Sequence, residues 1–234
     1  GHGTHVAGIL GGSGQMSGGI LPEIAPLCRF VIVKVLDQKG EANVASILAG
    51  LKWVEMNHRK YKNGLVNLSA GAGENLEPGK EKMLIEAVEH LWDLGLVVVV
   101  SSGNNGPGEG TIAIPGNSRK VITVGAVKTE KAEKGAVRDP VLRKNVSETG
   151  RNSTGIPDYF LQQSDTGKKD AYTVKSGSSM ATPVVSGAVA LLMEKYPRIT
   201  NVEVKLRLRE TCIHLPGAGE QGWGMLNIRD FLKL

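Results

Sequence analysis

Four consecutive valines, Val97–Val100, constrain the fold of this chain more than any other feature. Because successive side chains of a strand point to opposite faces, such a run predicts a strand that is buried on both sides. The run is also far shorter than the ~18 apolar residues that a membrane-spanning helix needs. Other apolar runs without polar alternation lie at 27–37, 64–71 and 121–127.

Segments with apolar residues at helical spacing separate these runs. They predict helices over 42–61, 79–95, 180–197 and 200–212, the last capped by Thr200 or Asn201. We read Pro183 as a first-turn helix residue and expect a helix to begin near Thr4. Strands that alternate with helices in this way predict an α/β fold, a doubly wound and mostly parallel sheet with helices on both faces.

One domain accounts for the whole of residues 1–234, since no linker or internal repeat divides the chain. Hydrophobic residues make up 41% of the sequence, enough for a sizeable core. Residues 128–172 break the pattern because they are polar, charged and without periodicity. We interpret them as an irregular insertion or a diverged segment.

The net charge of +5 is spread along the chain, and its basic stretches do not alternate with aromatic residues. We therefore predict no nucleic-acid partner, and no membrane partner either. Cys28 and Cys212 are too few for a disulfide scaffold and lack the spacing of a zinc site, and no cofactor is predicted. Unpaired thiols favour the cytoplasm over secretion, while the compartment and the oligomeric state stay open.

Three glycine-rich turns each hold one chemically capable residue. His2, in "GHGTHVAG", has a side chain suited to proton transfer near neutral pH. Asn104, in "SSGNNGPG", can donate an amide N–H to a developing negative charge. Ser179, in "SGSSMATP", has an open hydroxyl at the start of a helix. Taken singly, each has a plainer interpretation as a packing, turn or capping residue, and His5 is interpreted only as a packing residue.

Taken together and in this order, the three turns resemble the motifs of the subtilisin-like serine proteases (subtilases, peptidase family S8). "GHGTHVAGI" is similar to the family's histidine box, "SSGNNG" to its oxyanion segment and "SGSSMATPVVSGAVALL" to its serine box. "VNLSAGAG", "IPGNSRKVITVGAV" and "GWGMLNI" also resemble family segments. The resemblance covers most of 1–127 and 172–234 and is nearest to the bacterial AprX-like type.

The resemblance implies a serine endopeptidase that acts on polypeptides. His2 would be the general base, Ser179 the nucleophile and Asn104 the side-chain donor to the oxyanion. Two segments would line the cleft beside the residue that precedes the scissile bond. Their residues are Ser69, Ala70, Gly71, Ser101, Ser102 and Gly103.

The family's third catalytic residue is an aspartate in an "Asp-Ser/Thr-Gly" turn ahead of the histidine box. The later aspartates do not stand in that context; they are Asp37, Asp139, Asp158, Asp165 and Asp170. We therefore expect the aspartate and the first strand or strands of the sheet to lie upstream of Gly1. We also expect the 234-residue chain alone to fold poorly and to be nearly inactive. The calcium loop typical of the family is absent after the histidine helix, so no metal site is predicted.

Two other classes of protein fit parts of the sequence. A peptide-binding subtilase without catalysis fits the absent aspartate and the irregular 128–172 segment, but the three intact boxes oppose it. An α/β-hydrolase esterase would need a "Gly-x-Ser-x-Gly" turn with its histidine after the serine. The serine turn here is "GSSMA", and His214 is the one histidine that follows it, so the esterase is disfavoured.

Overall fold

A parallel sheet lies at the centre of the part of the chain that the structure describes. The computed structural model describes residues 1–19, 22–37, 40–71, 76, 78–106, 110–126, 175, 177–214 and 222–233. The strands are β1 (Leu65–Leu68), β2 (Val97–Ser101) and β3 (Ile122–Val124), and they neighbour one another in that order. Leu65 pairs with Val97 in the first ladder, and Val99 pairs with Ile122 in the second.

The helices alternate with the strands, as the sequence predicts. They are α1 (His2–Gly11), α2 (Val44–Tyr61), α3 (Pro78–Asp93), α4 (Ser178–Lys195), α5 (Asn201–Thr211) and α6 (Ile228–Leu232). Asn43 caps α2 by accepting from the Ser46 N–H, and Thr200 caps α5 through a reciprocal capping box with Glu203. The predicted cap of α5 is therefore confirmed as Thr200.

β2 is the most deeply buried strand of the described sheet. Its valines are each at most 1% exposed, and Ser101 at its end is also buried. Since neighbouring side chains of a strand point to opposite faces, both faces of β2 are covered. Helix α4 packs against all three strands, while α3 and α5 also contact β2. The two-sided burial predicted from the valines is confirmed.

Helix α1 packs against α4. Ile9 of α1 and Met180 and Val184 of α4 form a small apolar cluster of their own. Gly187 allows a close approach on α4, because a Cβ built there would lie 2.6 Å from the Ile24 Cβ. This packing fixes the helix that begins at His2 on the helix that begins beside Ser179.

The buried strand predicted over 27–37 is wrong. This segment forms no strand, and Leu27 and Ile32 are 91% and 70% exposed. Only Val33 and Val35 lie against the core, under Gly50 of α2. An apolar run becomes a strand only where a ladder partner lies beside it. β1 ends the described sheet on one side, and no described strand pairs with that edge.

Two local predictions at helix starts are also corrected. Helix α1 begins at His2, not near Thr4. Pro183 lies in the second turn of α4, not in the first, because the helix already begins at Ser178. Since proline has no N–H, the Ser179 carbonyl receives no intrahelical hydrogen bond from that position.

Lys205 of α5 joins that helix to the loop before β3. Its ammonium donates to three consecutive carbonyl oxygens, those of Arg119 (2.5 Å), Lys120 (2.9 Å) and Val121 (3.1 Å). The rings of Trp92 and Trp223 flank the ammonium at 5.6 Å and 5.7 Å. The charge thus stabilises the chain just ahead of β3.

Several sequence predictions concern residues beyond this core. Residues 128–172 lie outside the described residues, so the proposed insertion stays a prediction.

Cys28 and Cys212 are free and half-buried, and burial raises the pKa of the Cys212 thiol to about 11. In the described part of the chain, no helix is both long and apolar enough to cross a membrane.

Candidate active site

His2 is the first residue of α1, and its imidazole is half-buried. Burial, and after it the charge of Lys175, holds the pKa of His2 below its ordinary value of 6.5. The neutral ring therefore persists to lower pH than a free histidine would allow. A neutral imidazole can accept a proton, so this position suits a general base.

His5, one turn along α1, differs from His2 in its surroundings. Its Nε2 atom is buried and has no hydrogen-bond partner among the described residues. Burial, then Lys175 and His2, lowers the pKa of this ring as well. His5 is therefore kept uncharged, which fits the packing role that the sequence predicts for it.

Ser179 lies in the first turn of α4, where the helix dipole favours negative charge. Its Oγ donates a hydrogen bond to the carbonyl oxygen of Ser69, at 3.2 Å. No hydrogen bond joins Ser179 to His2 in the described structure. The hydroxyl is thus held by a neutral carbonyl and not by a base.

Asn104 follows β2 and reaches the start of α4. Its Oδ1 accepts from the Ser178 N–H at 3.0 Å and from the Ser178 hydroxyl at 3.3 Å. A Cβ built on Gly177 would lie 3.1 Å from that Oδ1, and Gly177 has a φ of 133° that favours glycine. Glycine at 177 therefore lets the turn close against the amide.

Two N–H donors at the start of α4 remain for a ligand. Asn104 Oδ1 is held by Ser178, the residue before Ser179, while Asn104 Nδ2 has no partner among the described residues. The Ser179 N–H belongs to the first turn of α4, whose amides lack intrahelical acceptors. A pair of such donors can stabilise an oxygen that becomes negatively charged.

The two predicted wall segments both contact the strip around Ala113. A Cβ on Gly71 would lie 3.3 Å from the Ala113 Cβ, and one on Gly103 would lie 2.6 Å from it. The backbone of Ser102 is fixed on both sides, accepting from the Ala113 N–H and donating to the Val124 carbonyl. Ser69, Ser101 and Ser102 are buried, while Ala70 is half-buried and Gly71 exposed.

A buried hydrogen-bond chain supports the Ser69 wall from beneath. The hydroxyl of Ser186 in α4 donates to Asn67 Oδ1 at 2.8 Å, and Asn67 Nδ2 donates to the Ser69 Oγ at 3.1 Å. Ser186 is fully buried. Helix α4 thus contacts the wall twice, through Ser186 at its middle and through Ser179 at its start.

A cavity of about 380 Å³ adjoins these groups. We call it the His2 cavity, and its lining residues are His2, Leu36, 40–42 and 69–71. It brings the histidine and the Ser69 wall to one space, and the Ser179 hydroxyl contacts that wall. Within the described residues, no group of three or more His, Cys, Asp or Glu is placed to hold a metal ion.

Sequence reasoning missed several residues that shape this site. Ser178 orients the Asn104 amide, Lys175 acts on both histidines, and Asn67 and Ser186 support the wall. Polar residues inside an apolar strand and an apolar helix are the signal that could have identified the last two. Buried polar groups need partners, so Asn67 and Ser186 were candidates for a pair.

The fold and this cleft define an α/β protein in which a histidine lines a cavity, a serine hydroxyl contacts the wall of that cavity, and an amide is oriented at the start of the serine's helix. The model of the subtilase family matches residues 1–224, and the chain belongs to that family. The predicted family and its subtilisin-like α/β fold are thus confirmed.

Two curated relatives are named as proteases. The chain is 33% identical over 229 residues to the serine protease AprX of Bacillus subtilis (strain 168), with 89% of this chain and 52% of the relative aligned. It is 32% identical to subtilisin DY of Bacillus licheniformis, covering 97% of this chain and 76% of that protein. The chain therefore spans about half the length of AprX.

Solved structures show the same fold. Sphericase aligns with 91% of this chain and 69% of its own, at a TM-score of 0.68 and 26% identity. A structure described as the prenylagaramide maturation protease PagA aligns with 99% of this chain and 80% of its own, at a TM-score of 0.67. Its identity of 23% supports the likeness of fold alone.

Proposed function

We propose that this chain is the catalytic part of a serine endopeptidase that hydrolyses peptide bonds through an acyl-enzyme on Ser179. The observation that carries the proposal is the pair of free donors at the start of α4, Asn104 Nδ2, whose amide is oriented by Ser178, and the Ser179 N–H. A serine hydroxyl, two such donors and a neutral imidazole on the same wall of a cleft suit acyl transfer.

The reaction begins when the Ser179 hydroxyl leaves the Ser69 carbonyl and turns to His2. His2 accepts the proton as the Ser179 oxygen attacks the carbonyl carbon of the substrate, and the carbonyl oxygen becomes an anion. Asn104 Nδ2 and the Ser179 N–H donate to that anion. The protonated His2 then donates to the leaving amine, and the C–N bond breaks. Water, activated by His2, hydrolyses the resulting ester.

His2 needs a group that fixes its ring during these steps. In the family this group is an aspartate, expected ahead of Gly1 in the chain. In a subtilisin, a member of this family, loss of the aspartate alone lowers turnover on the order of 10⁴-fold. The proposal therefore includes an upstream carboxylate as the third member of the site.

The proposal is tested by labelling with a fluorophosphonate, which phosphonylates an activated serine with loss of fluoride. The chain is expressed together with whatever segment its gene encodes ahead of Gly1, and the labelled peptide is identified by mass spectrometry. We expect the label on Ser179, and its loss in Ser179→Ala and His2→Ala. Ser46→Ala is the matched control, because Ser46 also lies in the first turn of a helix. Labelling that survives Ser179→Ala would sink the proposal.

A peptide-binding protein without catalysis is the second candidate. The observation that favours it is the hydrogen bond from Ser179 to Ser69, which leaves the nucleophile unpaired with His2. This candidate predicts that peptides bind without being cleaved and that a fluorophosphonate does not label Ser179. Cleavage of a bound peptide at a defined bond, abolished by Ser179→Ala, excludes it.

A further inference from the structure

The His2 cavity carries one charged carboxylate, that of Glu41. Its other lining residues are His2, Leu36, Gly40, Ala42 and 69–71, which are apolar or small apart from His2 and Ser69. Its volume of about 380 Å³ lies within the ~300–1,000 Å³ of ordinary ligand sites. The cavity can therefore hold one long side chain, and Glu41 supplies the carboxylate that this side chain would meet.

Two hydrogen bonds with Asp37 hold the turn that carries Glu41. The Glu41 N–H donates to Asp37 Oδ1 at 2.9 Å, and the Asp37 N–H donates to the Glu41 carbonyl at 2.9 Å. The Glu41 carboxylate itself is exposed and has no hydrogen-bond or ion-pair partner among the described residues. The carboxylate is therefore available to bind a ligand.

The charges near the cavity are unequally placed. Glu41 also lines an adjoining cavity, together with Asp37 and Lys34, so two carboxylates face one ammonium there. Burial, and after it the charge of Lys175, lowers the pKa of His2, so the ring is neutral in mildly alkaline solution. Of the described residues that line the His2 cavity, Glu41 then carries the one formal charge, and it attracts a cationic ligand group.

We propose that Glu41 selects substrates with a lysine or arginine side chain on the amino-terminal side of the scissile bond. The inference rests on the proposed function, in which 69–71 lines the cleft beside the residue preceding that bond. This wall and Glu41 line the same cavity, so a side chain that enters the His2 cavity can contact both. Its ammonium or guanidinium then pairs with the Glu41 carboxylate.

Peptide binding without cleavage tests the selection apart from catalysis. In a Ser179→Ala background, the affinities of hexapeptides with lysine at each of four successive positions are compared with those of norleucine peptides by fluorescence anisotropy. At one position we expect roughly threefold to fivefold tighter binding of lysine at low salt, the size of an exposed ion pair. The preference falls in 0.5 M NaCl, since salt screens exposed charges.

The matched variants are Glu41→Gln and Glu194→Gln, which change the net charge equally. Glu194 is exposed near the end of α4, about 22 Å along the helix from Ser179. We expect Glu41→Gln to remove the lysine preference, Glu41→Lys to favour glutamate at that position, and Glu194→Gln to change neither. Equal affinity for lysine and norleucine peptides, no binding of either, or equal losses in the two glutamine variants would overturn the inference.

Fluorophosphonate labelling of the chain with Ser179 intact separates this inference from the proposed function. A lysine preference without labelling refutes the peptidase and leaves standing only the binding of a lysine side chain by Glu41, with no scissile bond to place it against. Labelling of Ser179 without any lysine preference refutes the selection and leaves the peptidase standing.

Discussion

The Ser179 hydroxyl donates its hydrogen bond to the carbonyl oxygen of Ser69, 3.2 Å away. A carbonyl oxygen accepts a hydrogen bond but does not take the proton at neutral pH, so this contact does not activate the serine. Activation requires the hydroxyl to turn toward His2, which lines the same cavity as Ser69.

Lys175→Gln should move the acid limb of the acylation rate to higher pH. The acylation rate of Ser179 rises as His2 loses its proton, and burial and Lys175 hold the pKa of His2 below 6.5. Removing the ammonium raises that pKa, so the limb of the fluorophosphonate labelling rate shifts toward 6.5. Lys195→Gln, at the far end of α4, is the control and should leave the limb in place. An unchanged limb in Lys175→Gln would show that Lys175 does not act on His2.

Asn104→Ala should slow acylation about 10²- to 10³-fold, a range established with a subtilisin, a member of this family. The reason is that Nδ2 is one of two donors to the developing anion. The effect should fall on kcat, with KM changed little, because the substrate carbonyl is uncharged before attack. Steady-state kinetics on a fluorogenic peptide measures the split.

Gly177→Ala is the companion test of how the amide is held. A methyl group there lies 3.1 Å from Asn104 Oδ1, and alanine is strained at a φ of 133°. We expect the same loss in kcat as in Asn104→Ala, with no further loss in the double variant. Additive losses would mean that Gly177 acts separately from Asn104.

Ser186→Ala should lower the free energy of unfolding by about 1–3 kcal/mol. It removes the fully buried Ser186 hydroxyl and leaves the Oδ1 of the half-buried Asn67 without its donor. Urea unfolding of Ser186→Ala, Asn67→Ala and the double variant gives a double-mutant cycle. The coupling energy should be clearly above zero, and a value near zero would refute a joint role for the two residues.

Glu23→Gln should stabilise the protein above pH 7. Glu23 is half-buried beside the end of α1, and burial raises its pKa from 4.5 to about 7. Between those two values the folded state binds a proton that the unfolded state releases, so stability falls as pH rises through about 7. The glutamine side chain cannot ionise and avoids this loss.

The expected gain is about 1 kcal/mol at pH 8, after allowance for the half of the side chain that water screens. Below pH 4.5 the wild type and Glu23→Gln should be equally stable, since both side chains are neutral there. Urea unfolding at pH 4 and pH 8 checks both statements, with the exposed Glu194→Gln as control. A gain of the same size at both pH values would refute the titration of Glu23 as its cause.

Much of the fold was predictable because its signals are local. Each of these signals acts within a few residues of chain. Examples are the valines of β2, the cap at Thr200 and the glycine that follows α3. The segment 27–37 failed for the opposite reason. Its apolar run met the local rule for a strand, but a strand forms only beside a partner, and no described strand pairs with that edge of β1.

The sequence by itself determined the order of the elements and placed His2, Asn104 and Ser179 in glycine-rich turns at their ends. The tertiary structure decided which atoms of these residues meet. Ser178 and Asn104 are 74 residues apart, and Ser186 and Asn67 are 119 apart, yet each pair shares a hydrogen bond. Such bonds are decided by how α4 packs on the sheet, because packing brings distant polar groups within reach and burial then requires that they be paired.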